Sequence, residues 1–192
     1  RSNVMKNLNW MPHIGMNFNL YVDGLGLLFS LLITGIGSLV VLYSIGYLSK
    51  SEQLGNFYCY LLLFMGAMLG VVLSDNFIIL YLFWELTSFS SFLLISFWRE
   101  KKASIYGAQK SLIITVLGGL SMLGGIILLS LATDTFSIQA MISKASDIQN
   151  SPFFILVMIL FMIGAFTKSA QVPFYIWLPD AMEAPKIGRA SC

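Results

Sequence analysis

The sequence has few charged residues, few cysteines and a single histidine. Only 10% of its 192 residues are charged, against about a quarter in soluble domains, which excludes an ordinary water-soluble domain. The few cations are scattered through apolar sequence, so we expect no nucleic-acid binding. One His and two distant cysteines, Cys59 and Cys192, provide neither a zinc site nor a disulfide framework. We expect no metal and no cofactor.

In place of these groups, the chain has five long apolar segments. Each is near or above the roughly 20 residues that a helix needs to cross the hydrocarbon of a bilayer. They are too long and too uniform for the alternating strands of a membrane barrel. The pattern predicts an all-α, polytopic transmembrane helix bundle, with close helix contacts at its many glycines. The predicted spans are residues 24–48, 56–73, 76–97, 104–132 and 152–178.

The distribution of Lys and Arg predicts the orientation of these spans, because cytoplasmic loops carry an excess of both. Residues 1–23 and the connector 133–151 are then expected outside. The leading segment has the pattern of an extended or hairpin element at the membrane interface, and the connector that of a helix or loop near 136–142. The cations of the loops predicted to face the cytoplasm are Lys50, Arg99, Lys101, Lys102 and Lys110.

Glu85 is a carboxylate placed deep in the third predicted span. It lies roughly 13 Å of helical rise from the outer end, near the membrane midplane. A charge there costs about 2.5–3.5 kcal/mol on insertion scales, so such residues usually have a function or a partner. Thr87 and Ser88 follow it, and Ser88 shares its helix face, so we expect a hydroxyl or water to reach the carboxylate.

Lys168 is the charge in the fifth predicted span. Pro173 and Pro179 follow it and predict an interrupted helix, whose freed backbone groups are tolerated only against protein or a water-filled cavity. Moving a counter-charge toward or away from Lys168 changes whether the amine holds a proton. We therefore predict a proton relay between Glu85 and Lys168. The alternatives are a static ion pair that fixes helix packing, or side chains that face lipid headgroups.

The remaining charges have simpler interpretations. Lys110 is interpreted as a cation that snorkels to the cytoplasmic edge of the membrane, with a place on a proton uptake route as the alternative. His13 is interpreted as a surface residue. Three acids near predicted helix ends are interpreted as solvated caps or loop charges; they are Asp75, Asp180 and Glu183.

Four motifs carry a resemblance to a known family. They are Tyr-Val-Asp-Gly-Leu at 21–25, Phe-Trp-Glu-Leu-Thr-Ser at 83–88, Lys-Ser-Ala-Gln at 168–171 and Trp-Leu-Pro-Asp-Ala-Met at 177–182. With them the sequence closely resembles the A-type subunit of the Mrp/Mnh-type multisubunit sodium/proton antiporters of bacteria. That subunit is similar to the large antiporter-like subunits of respiratory complex I. The resemblance extends from about residue 1 to residue 185.

The resemblance implies a complex of several different subunits in the bacterial cell membrane that uses proton influx to expel Na⁺. In the family, the glutamate and the lysine of these motifs form a coupled pair on two helices, and here they are Glu85 and Lys168. Water near Thr87, Ser88 and Ser169 would carry the proton between them. The alternatives are a proton-pumping subunit of a quinone-linked oxidoreductase, and a non-conducting scaffold for other subunits.

Two departures from the family pattern have consequences. Complex I relatives carry an Arg and an Asp where this chain has Val116 and Gly119, so an additional charge relay is absent and the antiporter branch is favoured. After residue 185 the family motif breaks off, and we expect 186–192 to be a non-native tail. The expected organisation is therefore an interface segment, 1–23, and a transmembrane fragment, 24–185. We expect that this fragment does not transport on its own.

Overall fold

The computed structural model describes residues 4–11, 16–47, 54–98 and 101–182. Of the residues discussed above, His13, Lys50, Arg99 and 183–192 lie outside the described ranges, together with the predictions made for them. The main helices, in chain order, are α1 (Gly24–Tyr47), α2 (Leu54–Leu73), α3 (Phe77–Ile95), α4 (Lys102–Thr133), α5 (Ile138–Ser143), α6 (Ala145–Gln149) and α7 (Phe154–Lys168).

The first four predicted spans are single long helices. At 1.5 Å per residue, α1 to α3 are about 36, 30 and 28 Å long and α4 about 48 Å. All four are long and apolar enough to cross a membrane. The fifth span is the shorter apolar helix α7, which ends at Lys168, and a 3-10 helix (Phe174–Trp177) and α8 (Leu178–Ala181) follow after a break. The predicted helix bundle and its interrupted fifth helix are confirmed.

The leading segment is a two-stranded antiparallel hairpin of β1 (Val4–Met11) and β2 (Met16–Val22), in agreement with the extended backbone that its sequence predicts. The strand β2 leads directly into α1, where the Asp23 carboxylate accepts a hydrogen bond from the Gly26 amide at 2.6 Å. This contact satisfies one of the free amide groups at the start of α1.

The turn between α2 and α3 joins the hairpin and the connector at one end of the bundle. Asn76 caps α3 by accepting a hydrogen bond from the Ile78 amide at 2.9 Å. The Asp75 carboxylate accepts hydrogen bonds from the Ser137 hydroxyl at 2.9 Å and the Gln139 amide at 3.1 Å, and the residue is only 5% exposed. The interpretation of Asp75 as a solvated cap is wrong, because its carboxylate holds the start of α5 against α3.

Glycines let α4 and α7 approach closely, as predicted. A Cβ built at Gly118 would overlap the Thr167 side chain, and one at Gly164 would lie 2.9 Å from the Met122 Cβ. The Ser121 hydroxyl also donates to the Leu160 carbonyl at 3.2 Å. In contrast, the long apolar side chains of α1 are largely exposed, as expected of a helix in contact with lipid or other protein.

Candidate functional site

Lys168 is the last residue of α7, and its side chain binds two hydroxyls of α3. Its Nζ donates to Thr87 Oγ1 and to Ser88 Oγ, both at 2.7 Å. The Thr87 hydroxyl in turn donates to the Trp84 carbonyl at 2.6 Å, and the Ser88 hydroxyl is 3.4 Å from the same oxygen. The hydroxyl protons therefore point into α3, and their lone pairs face the lysine. These two hydroxyls are neutral acceptors that stabilise the protonated amine.

Glu85 lies in the middle of α3, about 12 Å of rise from its start. Its Oε1 is buried, and no described residue donates a hydrogen bond to it. Among the described residues, no ion pair within 4.0 Å joins the Glu85 carboxylate to Lys168; the ion pair found at that distance is between Lys110 and Asp180. The sequence predicts that Ser88 reaches the carboxylate, but its hydroxyl faces Lys168 and Trp84 instead. One oxygen of this half-buried carboxylate is thus shielded from solvent, and the group is not in ion-pair contact with Lys168.

Two consecutive glycines in the middle of α4 bring these groups to one level of the bundle. A Cβ at Gly119 would overlap the Glu85 carboxylate, and a Cβ at Gly118 would overlap the side chain of Thr167, the neighbour of Lys168. Consecutive helix residues point about 100° apart, so one glycine faces α3 and the other α7. The carboxylate occupies the volume that a side chain at residue 119 would fill.

A cavity of about 290 Å³ lies between α2, α3 and α4, with Lys168 and Trp177 in its wall. It is large enough for several water molecules, and hydroxyls supply the two to four polar partners that an ordered water needs. Apolar side chains of α2 form the opposite wall. Lys168 can therefore exchange a proton with water in this cavity. The polar lining consists of Thr87, Ser88, Ser91, Ser111, Thr115 and Lys168.

The other predicted site residues lie elsewhere. Ser169 is exposed, and its hydroxyl donates to the Ala165 carbonyl of its own helix at 2.7 Å. Lys110 Nζ binds Asp180 Oδ2 at 2.6 Å. Asp180 is 36% exposed in the first turn of α8, which fits its interpretation as a solvated cap or loop charge, but sequence reasoning missed this ion pair. Opposite charge was the only signal for it. Within the described ranges, no group of three His, Cys, Asp or Glu side chains is arranged to hold a metal.

Two family models match the chain. The model described as "NADH:quinone oxidoreductase/Mrp antiporter, TM" matches residues 74–190, more than half of the chain. The model described as "NADH-Ubiquinone oxidoreductase (complex I), chain 5 N-terminus" matches residues 10–58. Curated relatives named as the A1 subunit of a Na(+)/H(+) antiporter, from Staphylococcus aureus strains JH9 and Newman, are 86% identical over 95% of this chain. The chain spans 23% of the length of these relatives.

Solved structures share the fold. The Mrp complex from Dietzia sp. DQ12-45-1b contains a chain that matches with a TM-score of 0.92 and 34% identity, covering 98% of this chain and 21% of that one. An archaeal membrane-bound sulfane sulfur reductase matches with a TM-score of 0.82 over 98% of this chain and 29% of its own. Its 21% identity supports the fold alone.

Proposed function

Because the chain belongs to the NADH:quinone oxidoreductase/Mrp antiporter family and is a multi-pass bacterial membrane protein, we propose that it forms part of the proton-translocating A-type subunit of a multisubunit Na⁺/H⁺ antiporter. The assignment is supported by the 86% identity to curated antiporter subunits. The protein is then part of a secondary transporter and not an enzyme. Its partners are the other subunits of the antiporter complex, the lipid bilayer, H⁺ and Na⁺.

In the proposed mechanism, Glu85 and Lys168 exchange a proton. A protonated Lys168 is held by the Thr87 and Ser88 hydroxyls, and the nearby Glu85 carboxylate favours this charged form by electrostatic attraction. Lys168 passes its proton through bridging water to the Glu85 carboxylate, which leaves a neutral amine beside a neutral acid. When Glu85 later loses that proton, its restored negative charge favours uptake of a new proton by Lys168 from water in the cavity. The charge on each group thus changes the proton affinity of the other. Lys110 is assigned no proton-carrying step in this proposal, and Ser169 borders the break after Lys168.

The observation that carries the proposal is the buried Oε1 of Glu85, which has no hydrogen-bond donor among the described residues. A static packing pair would bring the carboxylate and the ammonium into direct contact, since a buried charge without a partner is costly. Here Glu85 is not within ion-pair distance of Lys168, whose contacts include two neutral hydroxyls. This separation favours proton exchange over a fixed ion pair.

The experiment compares Glu85→Gln and Lys168→Ala in the full-length complex, reconstituted in vesicles. Both variants remove the ability to carry a proton, so Na⁺-driven proton exchange should fall by about 100-fold or more, as is typical when a positioned proton-transfer group is lost. Asp134→Asn is the matched control for the acid. Asp134 is exposed at the end of α4 with φ 54°, a conformation that Asn also tolerates.

Other outcomes select the alternatives. If the complex assembles and both variants exchange protons normally, the relay is wrong and the scaffold hypothesis is supported. If proton movement requires NADH or quinone in place of a Na⁺ gradient, the chain belongs to an oxidoreductase. The Glu85 carboxylate fills the space beside Gly119. The resemblance implies an Asp at this position in complex I relatives, and the absence of room for one here supports the antiporter branch.

A further inference from the structure

The segment that follows Lys168, residues 169–182, folds back over the bundle and is called the strap here. It leaves the end of α7 and reaches the first third of α4. Near its start it is fixed to α7, because the Gln171 amide donates to the Phe166 carbonyl at 2.9 Å. In its second half, Trp177 Nε1 donates to the Thr167 carbonyl of α7, also at 2.9 Å. Near its end it lies directly on α4, where a Cβ built at Gly107 would overlap the Asp180 carbonyl. The strap is thus held at both ends.

The strap closes one end of the polar cavity with an apolar layer. Ile95, Ala108, Trp177 and Ala181 form a buried cluster, and the strap supplies two of these four side chains. Ile95 and Trp177 also line the cavity, so the layer is its wall on this side. Water cannot cross a packed apolar layer readily, since no polar partners are available to it there.

The ion pair between Lys110 and Asp180 holds the strap on α4 just beyond this layer. Its N–O distance is 2.6 Å, and the two side chains are 28% and 36% exposed. Lys110 lies about 12 Å of rise from the start of the 48 Å helix α4, near the edge of the hydrocarbon on the side where Lys101 and Lys102 predict the cytoplasm. The pair can therefore reach water while the layer behind it stays dry.

We propose that Lys110 and Asp180 form a latch that keeps Trp177 and Ala181 over the cavity, and that release of the latch admits water to Lys168 from this side. The two residues are positioning residues that control access to the site and do not carry its proton. Assigning this role to proton access rests on the proposed function. The control of water access itself rests on the contacts of the strap alone.

The test measures water access directly, in the full-length complex with its native cysteines replaced. Ser111 lines the cavity and is 4% exposed, so Ser111→Cys serves as a reporter for a small water-soluble methanethiosulfonate added on the cytoplasmic side. Asp180→Asn and Lys110→Gln each remove the ion pair. We expect each to raise the labelling rate by about tenfold, the size of effect typical of coupled contacting residues.

Two further variants separate the latch from a general loss of structure. The charge exchange Lys110→Asp with Asp180→Lys should restore slow labelling, which a merely disrupted fold would not do. Gly107→Ala leaves both charges in place but displaces the Asp180 backbone, and it should also raise the rate. Asp134→Asn, at the other end of α4, should leave the rate unchanged.

The proposal is overturned if both single variants label at the unmodified rate, or if the charge exchange labels as fast as the single variants. Its failure is distinguishable from failure of the proposed function, because labelling requires no transport. Normal proton exchange in Glu85→Gln and Lys168→Ala would disprove the relay but would not affect the labelling test of the latch. Unchanged labelling in both Asp180→Asn and Lys110→Gln would disprove the latch without affecting the relay.

Discussion

The bundle contains two acid–lysine pairs with opposite designs. Lys110 and Asp180 are in direct contact at 2.6 Å and partly exposed. Glu85 and Lys168 are not in ion-pair contact, and the lysine binds two hydroxyls while Oε1 of the acid has no donor among the described residues. Direct contact fixes two backbone segments, whereas the proposed exchange requires two groups that are not locked in such a contact. An acid and a lysine thus fix position in one place, and in the other we propose that they exchange a proton.

The largest effect is expected from a change that forces the separated pair apart. Gly119→Ala places a methyl group where the Glu85 carboxylate lies, so the acid must move away from its position near Lys168. A displacement of about 1 Å can cost a reaction about 100-fold, and we expect a loss of this size in Na⁺-driven proton exchange by the full-length complex in vesicles.

Gly124→Ala is the matched control on the same helix. A Cβ at Gly124 would meet only the Leu160 Cδ1, at an ordinary 3.7 Å. We therefore expect exchange close to that of the unmodified complex. Equal activity of the two alanine variants would show that the position of the carboxylate does not limit transport.

A smaller effect is expected from removal of the two hydroxyls that bind Lys168. Thr87→Val and Ser88→Ala each delete one acceptor for Lys168 Nζ. Hydrogen bonds to charged groups contribute about 1.5–3 kcal/mol, so each change should reduce the exchange rate by roughly tenfold or more. Ser90→Ala is the control, because that buried hydroxyl bonds only to carbonyls of its own helix. Full activity of both variants would contradict the role of the hydroxyls.

Much of this architecture could be predicted because it depends on local sequence. Uninterrupted apolar runs predicted the helices, and the high cost of a charge in hydrocarbon singled out Glu85 and Lys168. The residues after Lys168 predicted the break in the fifth helix, since proline cannot continue the hydrogen-bond pattern. For these features the physics acts within one helix.

The remaining features depend on contacts between distant residues. Lys110 binds Asp180 across 70 positions, and Asp75 binds Ser137 across 62. No local pattern distinguishes such acids from solvated helix caps. The need for glycine at residue 119 also depends on two helices, because it arises only from the Glu85 carboxylate of α3 that packs there.

The smallest effect on transport is expected from a third acid, Asp75, whose oxygens are both hydrogen-bonded. Asp75→Asn removes one acceptor from the contacts with Ser137 and Gln139, and leaving a buried group unsatisfied costs about 1–3 kcal/mol. We expect faster amide hydrogen exchange in α5. Na⁺-driven proton transport should stay within about twofold of normal, which corresponds to less than about 0.5 kcal/mol, the size of effect typical of surface substitutions. A large loss of transport would show that Asp75, although both of its oxygens are hydrogen-bonded, has more than a structural role.

The neighbouring glycines Gly118 and Gly119 place α4 in contact with both α7 and α3. Gly118 rests on the end of α7 and Gly119 on the acid of α3, at the same height and on adjacent faces. Turning α4 about its long axis cannot relax one of these contacts without disturbing the other. A rotation of α4 would therefore displace Glu85 and the Thr167 neighbour of Lys168 together, without a chain of intermediate side chains.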